Sequence, residues 1–395
     1  MPMRSSKLVL SLIFVCAAGL SLAAARVPTS DAQVLEKLAF KPSDPLAREL
    51  GQLRSAHLRE PANRQIAVQL ANRYYDMVGE EGDPRYLGYA EAALAPWWLQ
   101  AKPPGDVQLI RARLRQFLHD FPGALTDLEQ LLAREPNNTS ARALRAIIYV
   151  VQARYPLARS DCNELLSAPT NLIGLGCIAM IDGLTGKAAA AFARLNAAYA
   201  VQPPAGNEEK MWFLLRLTEL AQRLGQNEVA ERRFKQALAL GINDTFLLAA
   251  YADLLLDLRR PAEVVSLLKD KTRSDGLLLR LVLAQRSLNL PTAAELEAAL
   301  GARYAAAQLR GDTVHQQEEA RFMLHVKANP QRALWLAQQN WQVQREPRDA
   351  RIFLEAAIAS KDIRAAQPVL QWMADSRIED PTLISLSQEL RKTLQ

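Results

Sequence analysis

Along most of the chain, small and apolar residues recur at helical period and not in alternation. Between residues 121 and 136, Ala124, Leu128 and Leu131 stand at i, i+4 and i+7, one face of a helix. Stepping 34 residues along reaches Ala158, Cys162 and Leu165, and in the preceding helix Ala112 and Arg115 become Ala146 and Tyr149. A second register repeats the step: Ala230, Phe234 and Ala237 are followed by Val264 and Leu268, and Leu217 and Ala221 by Tyr251 and Leu255. A helix pair of this length cannot bury its apolar stripe alone, so neighbouring pairs must stack to close a core. The pattern predicts an all-α solenoid of about nine helix pairs over residues 60–395, preceded by an N-terminal capping helix within 26–59.

The residues on these stripes resemble the tetratricopeptide (TPR) repeat. Leu175-Gly176 followed by Ala188 and Phe192, and Ala230, Phe234 and Ala237-Leu238, follow that family's pattern, with Pro136 at a repeat end. Weaker copies lie at Leu70-Ala71 and Tyr74 with Tyr89-Ala90, at Ala333, Ala337 and Asn340, and at Ala366, Leu370 and Met373. Residues 277–311 are degenerate. The resemblance implies a TPR-like α-solenoid whose first helices line a concave, protein- or peptide-binding groove. Carrying the register across places on that wall Asn72, Tyr75, Asp76, Arg113, Phe117, Trp212, Glu219, Arg223, Phe246, Asp253, Asp257, His315, Glu318, Phe322, His325, Arg348, Arg351 and Glu355. Aromatics among charges of both signs suit peptide recognition. The family's carboxylate clamp does not carry over: Asn72 matches one position, but Val68 and Ile110 stand where Lys and Asn belong.

Residues 1–25 read differently. Arg4 and Lys7 precede an uncharged, mostly apolar run from Leu8 to Leu22 that ends in Ala23-Ala24-Ala25, the pattern of a cleavable signal peptide. The run is short for a membrane anchor, which needs about 20 apolar residues. Cys16 follows Val15, where lipoprotein signals carry a small residue. Charges interrupt every later apolar stretch, so no membrane span is expected after cleavage. The Ala/Leu/Arg-rich composition and the leader look bacterial, which makes the periplasm the expected compartment. Two segments follow in the mature chain, front repeats over 60–202 and rear repeats over 203–395, divided at Pro203-Pro204, which cannot continue a helix.

Composition adds mainly exclusions. There are 48 basic and 42 acidic side chains, a net charge of +6, so no single-sign field points to nucleic acid. No phosphate loop, dinucleotide fingerprint, zinc-protease motif or nucleophile elbow occurs, and four histidines leave little for acid–base work. No enzyme activity and no cofactor are expected. His315, Glu318, Phe322 and His325 fall on one helical face, which raises a metal-handling or sensor alternative at 315–325. The two histidines, however, stand about 15 Å apart along a helix, too far to share one ion unaided. Cys162 and Cys177 lack redox or zinc spacing. They are either small core residues or a structural disulfide, since the register sets Cys162 against the helix that carries Cys177. The leading expectation is an exported, non-enzymatic binding or assembly scaffold.

Overall fold

The computed structural model describes residues 44–167, 171–201 and 203–392. The expected leader, residues 1–25, and the start of the expected cap, 26–43, lie outside them. The chain divides into two compact units, residues 1–51 and 52–395. Of the first, the described residues supply the opening of helix α1 (Pro45–Arg59). All that follows concerns the second.

Described residues form α2 (Arg64–Glu81), α3 (Arg85–Ala93), the short α4 (Ala95–Trp98), α5 (Gly105–Phe117), α6 (Phe121–Arg134), α7 (Thr139–Val151) and α8 (Tyr155–Ser167). Next come α9 (Asn171–Leu184), α10 (Ala188–Val201), α11 (Asn207–Arg223), α12 (Asn227–Leu238), α13 (Thr245–Asp257) and α14 (Pro261–Leu268). The series ends with α15 (Asp275–Ser287), α16 (Ala293–Leu309), α17 (Gln316–His325), α18 (Pro330–Val343), α19 (Pro347–Ala359), α20 (Gln367–Ser376) and α21 (Pro381–Lys392). Among these residues no strand occurs, and no helix is long and apolar enough to cross a membrane. Nine antiparallel pairs result: α2/α3, α5/α6, six consecutive pairs from α7/α8 to α17/α18, and α19/α20. The fold is an all-α, TPR-like solenoid.

Local chemistry sets the helix boundaries. Side chains of Asn63, Asp120, Asn138, Asp244 and Asn329 accept hydrogen bonds from the backbone N–H three residues on, at 3.3, 3.0, 3.0, 2.7 and 3.0 Å, satisfying a donor that the first turn leaves free. Within each pair the chain reverses through one residue of left-handed backbone. These are Gly82, His119, Ala153, Gly186, Gly225, Arg259, Asn289, Ala328 and Lys361, at φ between 51° and 72°.

The stripes read from the sequence are the core. Ala124, Leu128, Leu131, Ala158, Cys162, Leu165, Ala230, Phe234 and Ala237 are all buried. An ion pair repeats with them: Arg111 Nε donates to Asp127 at 2.9 Å, and 34 residues on Arg145 Nε donates to Asp161 at 2.8 Å, each tying the first helix of a pair to the second. Cys162 and Cys177 are bonded as a disulfide, Cα atoms 5.4 Å apart, joining α8 to α9.

Contacts also run between pairs far apart in sequence. The reversal ending α2 meets the starts of rear helices: Asn243 Nδ2 donates to the Glu80 carbonyl at 2.6 Å and Thr245 Oγ1 to that of Gly79 at 2.8 Å. After α7, the Arg345 N–H donates to the Val151 carbonyl at 2.7 Å. Trp372 Nε1 donates to the Tyr155 hydroxyl at 3.0 Å, and the Ala188 N–H donates to the Glu379 carboxylate at 2.7 Å. At Gly186 a Cβ would lie 3.0 Å from the Arg377 carbonyl, and at Gly225 3.6 Å from Pro381. The reversals within the front pairs, at Gly82, Ala153 and Gly186, are thus docked on the rear of the chain, and buried residues of α6–α9 share one core with those of α18–α21.

Candidate binding wall

Seventeen of the eighteen wall residues lie in the first helices of their pairs, on α2, α5, α11, α13, α17 and α19, Phe322 of α17 facing the core, while His315 precedes α17. In the front pairs, Arg113 Nη1 donates to Asn72 Oδ1 at 3.3 Å with its guanidinium 6.0 Å from the centre of the Tyr75 ring. Asp76 is exposed beside them. Phe117 of α5 meets Phe246 of α13 edge to face, ring centres 6.5 Å apart. Phe246 remains 53% exposed.

The rear pairs carry a chain of ion pairs. Asp253 sits between Arg280 and Arg321, each 2.6 Å away, and although burial works against its charge the two guanidinium groups hold its carboxyl well below the usual range. Asp257 takes both Nη atoms of Arg351 at 2.8 Å, and Arg351 Nε donates to Glu355 at 2.8 Å. His325 Nε2 completes the run, 2.9 Å from Glu355. Burial would raise Glu355, but the bond to His325 and the charge of Arg351 hold it down to about 2. At the other end of α17 and α19, burial and the Arg348 charge push His119 down to about 4, against the opposing pull of Glu318 and Glu346.

Three positions differ from the sequence reading. Phe322 is not on the wall: it is fully buried, 5.4 Å from Tyr304 between ring centres, because its large ring is taken into the core it shares with Leu278, Leu279 and Leu300 of α15 and α16. The His315–His325 face is broken as well, since α17 begins at Gln316 and His315 is the residue before it. His325 turns to Glu355, and among the described residues no group of three or more His, Cys, Asp or Glu side chains is placed to hold a metal ion.

Trp212 is half-buried against α9, where a Cβ on Gly176 would lie 2.3 Å from its ring, with the Arg216 guanidinium 5.7 Å from the ring centre. Glu219 accepts from Arg216 at 2.7 Å. Arg223 is buried, 9% exposed. The wall also includes His119, Arg280 and Arg321, which the register did not select. The 34-residue step that links Arg111 to Arg145 and Asp127 to Asp161 was a readable signal for the paired charges of the front repeats.

No family model matches the sequence, and no curated protein is similar to it. Among solved structures, a tetratricopeptide repeat protein from Parabacteroides merdae ATCC 43184 is similar over 61% of this chain and 92% of its own, at 17% identity and a TM-score of 0.44. The TPR domain of P58(IPK) is similar over 88% of this chain and 93% of its own, at 14% identity and a TM-score of 0.22. The TPR-like description of the fold rests on the nine helix pairs themselves.

Proposed function

We propose that the protein is a non-enzymatic scaffold that binds a protein or peptide along the wall formed by the first helices of its pairs. The observation that carries this reading is Phe246. It stays half exposed against Phe117, on a wall where Arg113 is engaged by Asn72 and Arg351 by Asp257. An aromatic surface open to water inside a rim of polar groups is what a binding hot spot offers a partner's apolar side chain. The leader-like residues 1–25 support export, and a periplasmic site of action is part of the proposal.

The test is affinity capture from a bacterial envelope extract with the tagged protein, comparing wild type with Phe246→Ala and with Arg348→Ala/Arg351→Ala. The expected result is a discrete partner retained by wild type and lost or weakened at least tenfold by Phe246→Ala. Retention of every partner by both variants would overturn the wall as the binding surface.

A further inference from the structure

Asp253 and Asp257 stand one helical turn apart on α13, and both reach past the neighbouring pair. Asp253 meets Arg321 of α17 at 2.6 Å, passing over α15, and Asp257 meets both Nη atoms of Arg351 of α19 at 2.8 Å, passing over α15 and α17. In a stack of helix pairs that contact only their neighbours, a bond that skips one forms across the concave side. Among the described residues, these two pairs are the hydrogen bonds that join α13 to α17 and α19. The first helices of the rear pairs are thus drawn together over the proposed binding wall.

Both bonds are prepared in advance and able to part. Glu355 takes the Nε–H of Arg351 at 2.8 Å and is itself 2.9 Å from His325, so the Arg351 fork is aimed at Asp257 before the pair closes. Asp253 keeps Arg280 at 2.6 Å when Arg321 leaves it. Water reaches the Asp257–Arg351 pair, and a pair so placed shifts an equilibrium by less than about fivefold. The chain between α16 and α17 turns at Gly311, at φ 70° with open space around it, while Phe322 keeps α17 seated in the core of α15 and α16. A tilt of α17 and α19 about Phe322 then needs no pair to unpack.

We propose that Asp253–Arg321 and Asp257–Arg351 are straps that hold α17 and α19 in against α13 and keep the concave side of the rear pairs closed to a polypeptide until they part. The inference rests on the wall reading and adds to it a closed and an open state of the same surface.

Pulsed electron-spin distance measurements on the mature protein test it, with labels on Arg259→Cys and Lys361→Cys in the turns that follow α13 and α19. Cys162 and Cys177 are bonded to each other and take no label. One short distance is expected in low salt. A longer population is expected to grow about twofold or more in about 1 M sodium chloride, and to appear without added salt in Asp253→Asn/Asp257→Asn. A distribution moved by neither salt nor the double variant overturns the proposal. If that variant does not fold, an unchanged distribution in Arg351→Gln overturns it. Partner capture reads the closure itself: the double variant is expected to retain up to about fivefold more partner than wild type, and equal or lesser retention overturns it. The distance measurement needs no partner, so the straps can fail while Phe246 stands as the binding position, and the reverse.

Discussion

Arg351 reaches across 94 residues of sequence to hold Asp257 by both terminal guanidinium nitrogens, each 2.8 Å from a carboxylate oxygen. The two side chains are 34% and 39% exposed, so water screens the pair. A double-mutant cycle with Asp257→Asn and Arg351→Gln, followed by urea unfolding, is expected to give a coupling of about 0.2 to 1 kcal/mol that shrinks as salt is added. A coupling several times larger and indifferent to salt would mean that the pair is sealed from solvent.

His119 provides a pH handle. Burial first, then the Arg348 charge, brings its folded value down from 6.5 to about 4. Above pH 6.5 the imidazole is neutral folded or unfolded, and its contribution to stability is fully present. As pH falls from 6.5 toward 4 the unfolded chain takes up a proton that the folded chain refuses, and that contribution is lost. His119→Asn, which tolerates the left-handed backbone at φ 60°, should have a flatter urea midpoint than wild type between those two values. Identical pH profiles would refute this assignment.

Six of the nine reversals within helix pairs place a side chain on left-handed backbone without glycine. Arg259→Gly and Lys361→Gly, at φ 58° and 54°, are each expected to raise stability by about 0.5 to 1 kcal/mol, the relief of left-handed strain outweighing the extra freedom of the unfolded glycine. Gly186→Ala should do the opposite, because the new Cβ meets the Arg377 carbonyl at 3.0 Å as well as the strained φ of 72°. Chemical denaturation of the three variants decides it.

The Cys162–Cys177 bridge closes a loop of 15 residues, for which chain entropy gives about 3 kcal/mol. Replacing both cysteines by alanine should lower stability by about 2 to 3 kcal/mol, with wild type showing no reactive thiol at these positions when unfolded without reductant. Two thiols titrating in that sample would show the bond to be absent.

Much of this architecture was legible because stacking repeats its demands every 34 residues: Ala124, Leu128 and Leu131 announce Ala158, Cys162 and Leu165, and all six are core. The same register set Cys162 against the helix bearing Cys177. It failed at Phe322, since a helical face read from spacing does not tell which of its aromatics the neighbouring α15 and α16 take into their core. The contacts of Arg345 with Val151 and of Trp372 with Tyr155 left no trace in a period, because they join pairs several repeats apart and depend on how small rotations between neighbours accumulate. Arg223 could be placed on a wall by its spacing, but only three-dimensional packing shows its guanidinium closed off, with Nε and Nη1 meeting no acceptor among the described residues.

The docking of the front reversals onto the rear helices changes what kind of polymer this chain is. An array held by neighbours alone melts from its ends and tolerates the loss of a terminal unit. Here, removing α20 and α21 would strip Trp372 from Tyr155 and the cover from the shared core of α6–α9, so damage at one terminus is felt in the middle. Such a molecule should unfold over residues 52–392 as one cooperative block, and shortening it should fail abruptly instead of gradually.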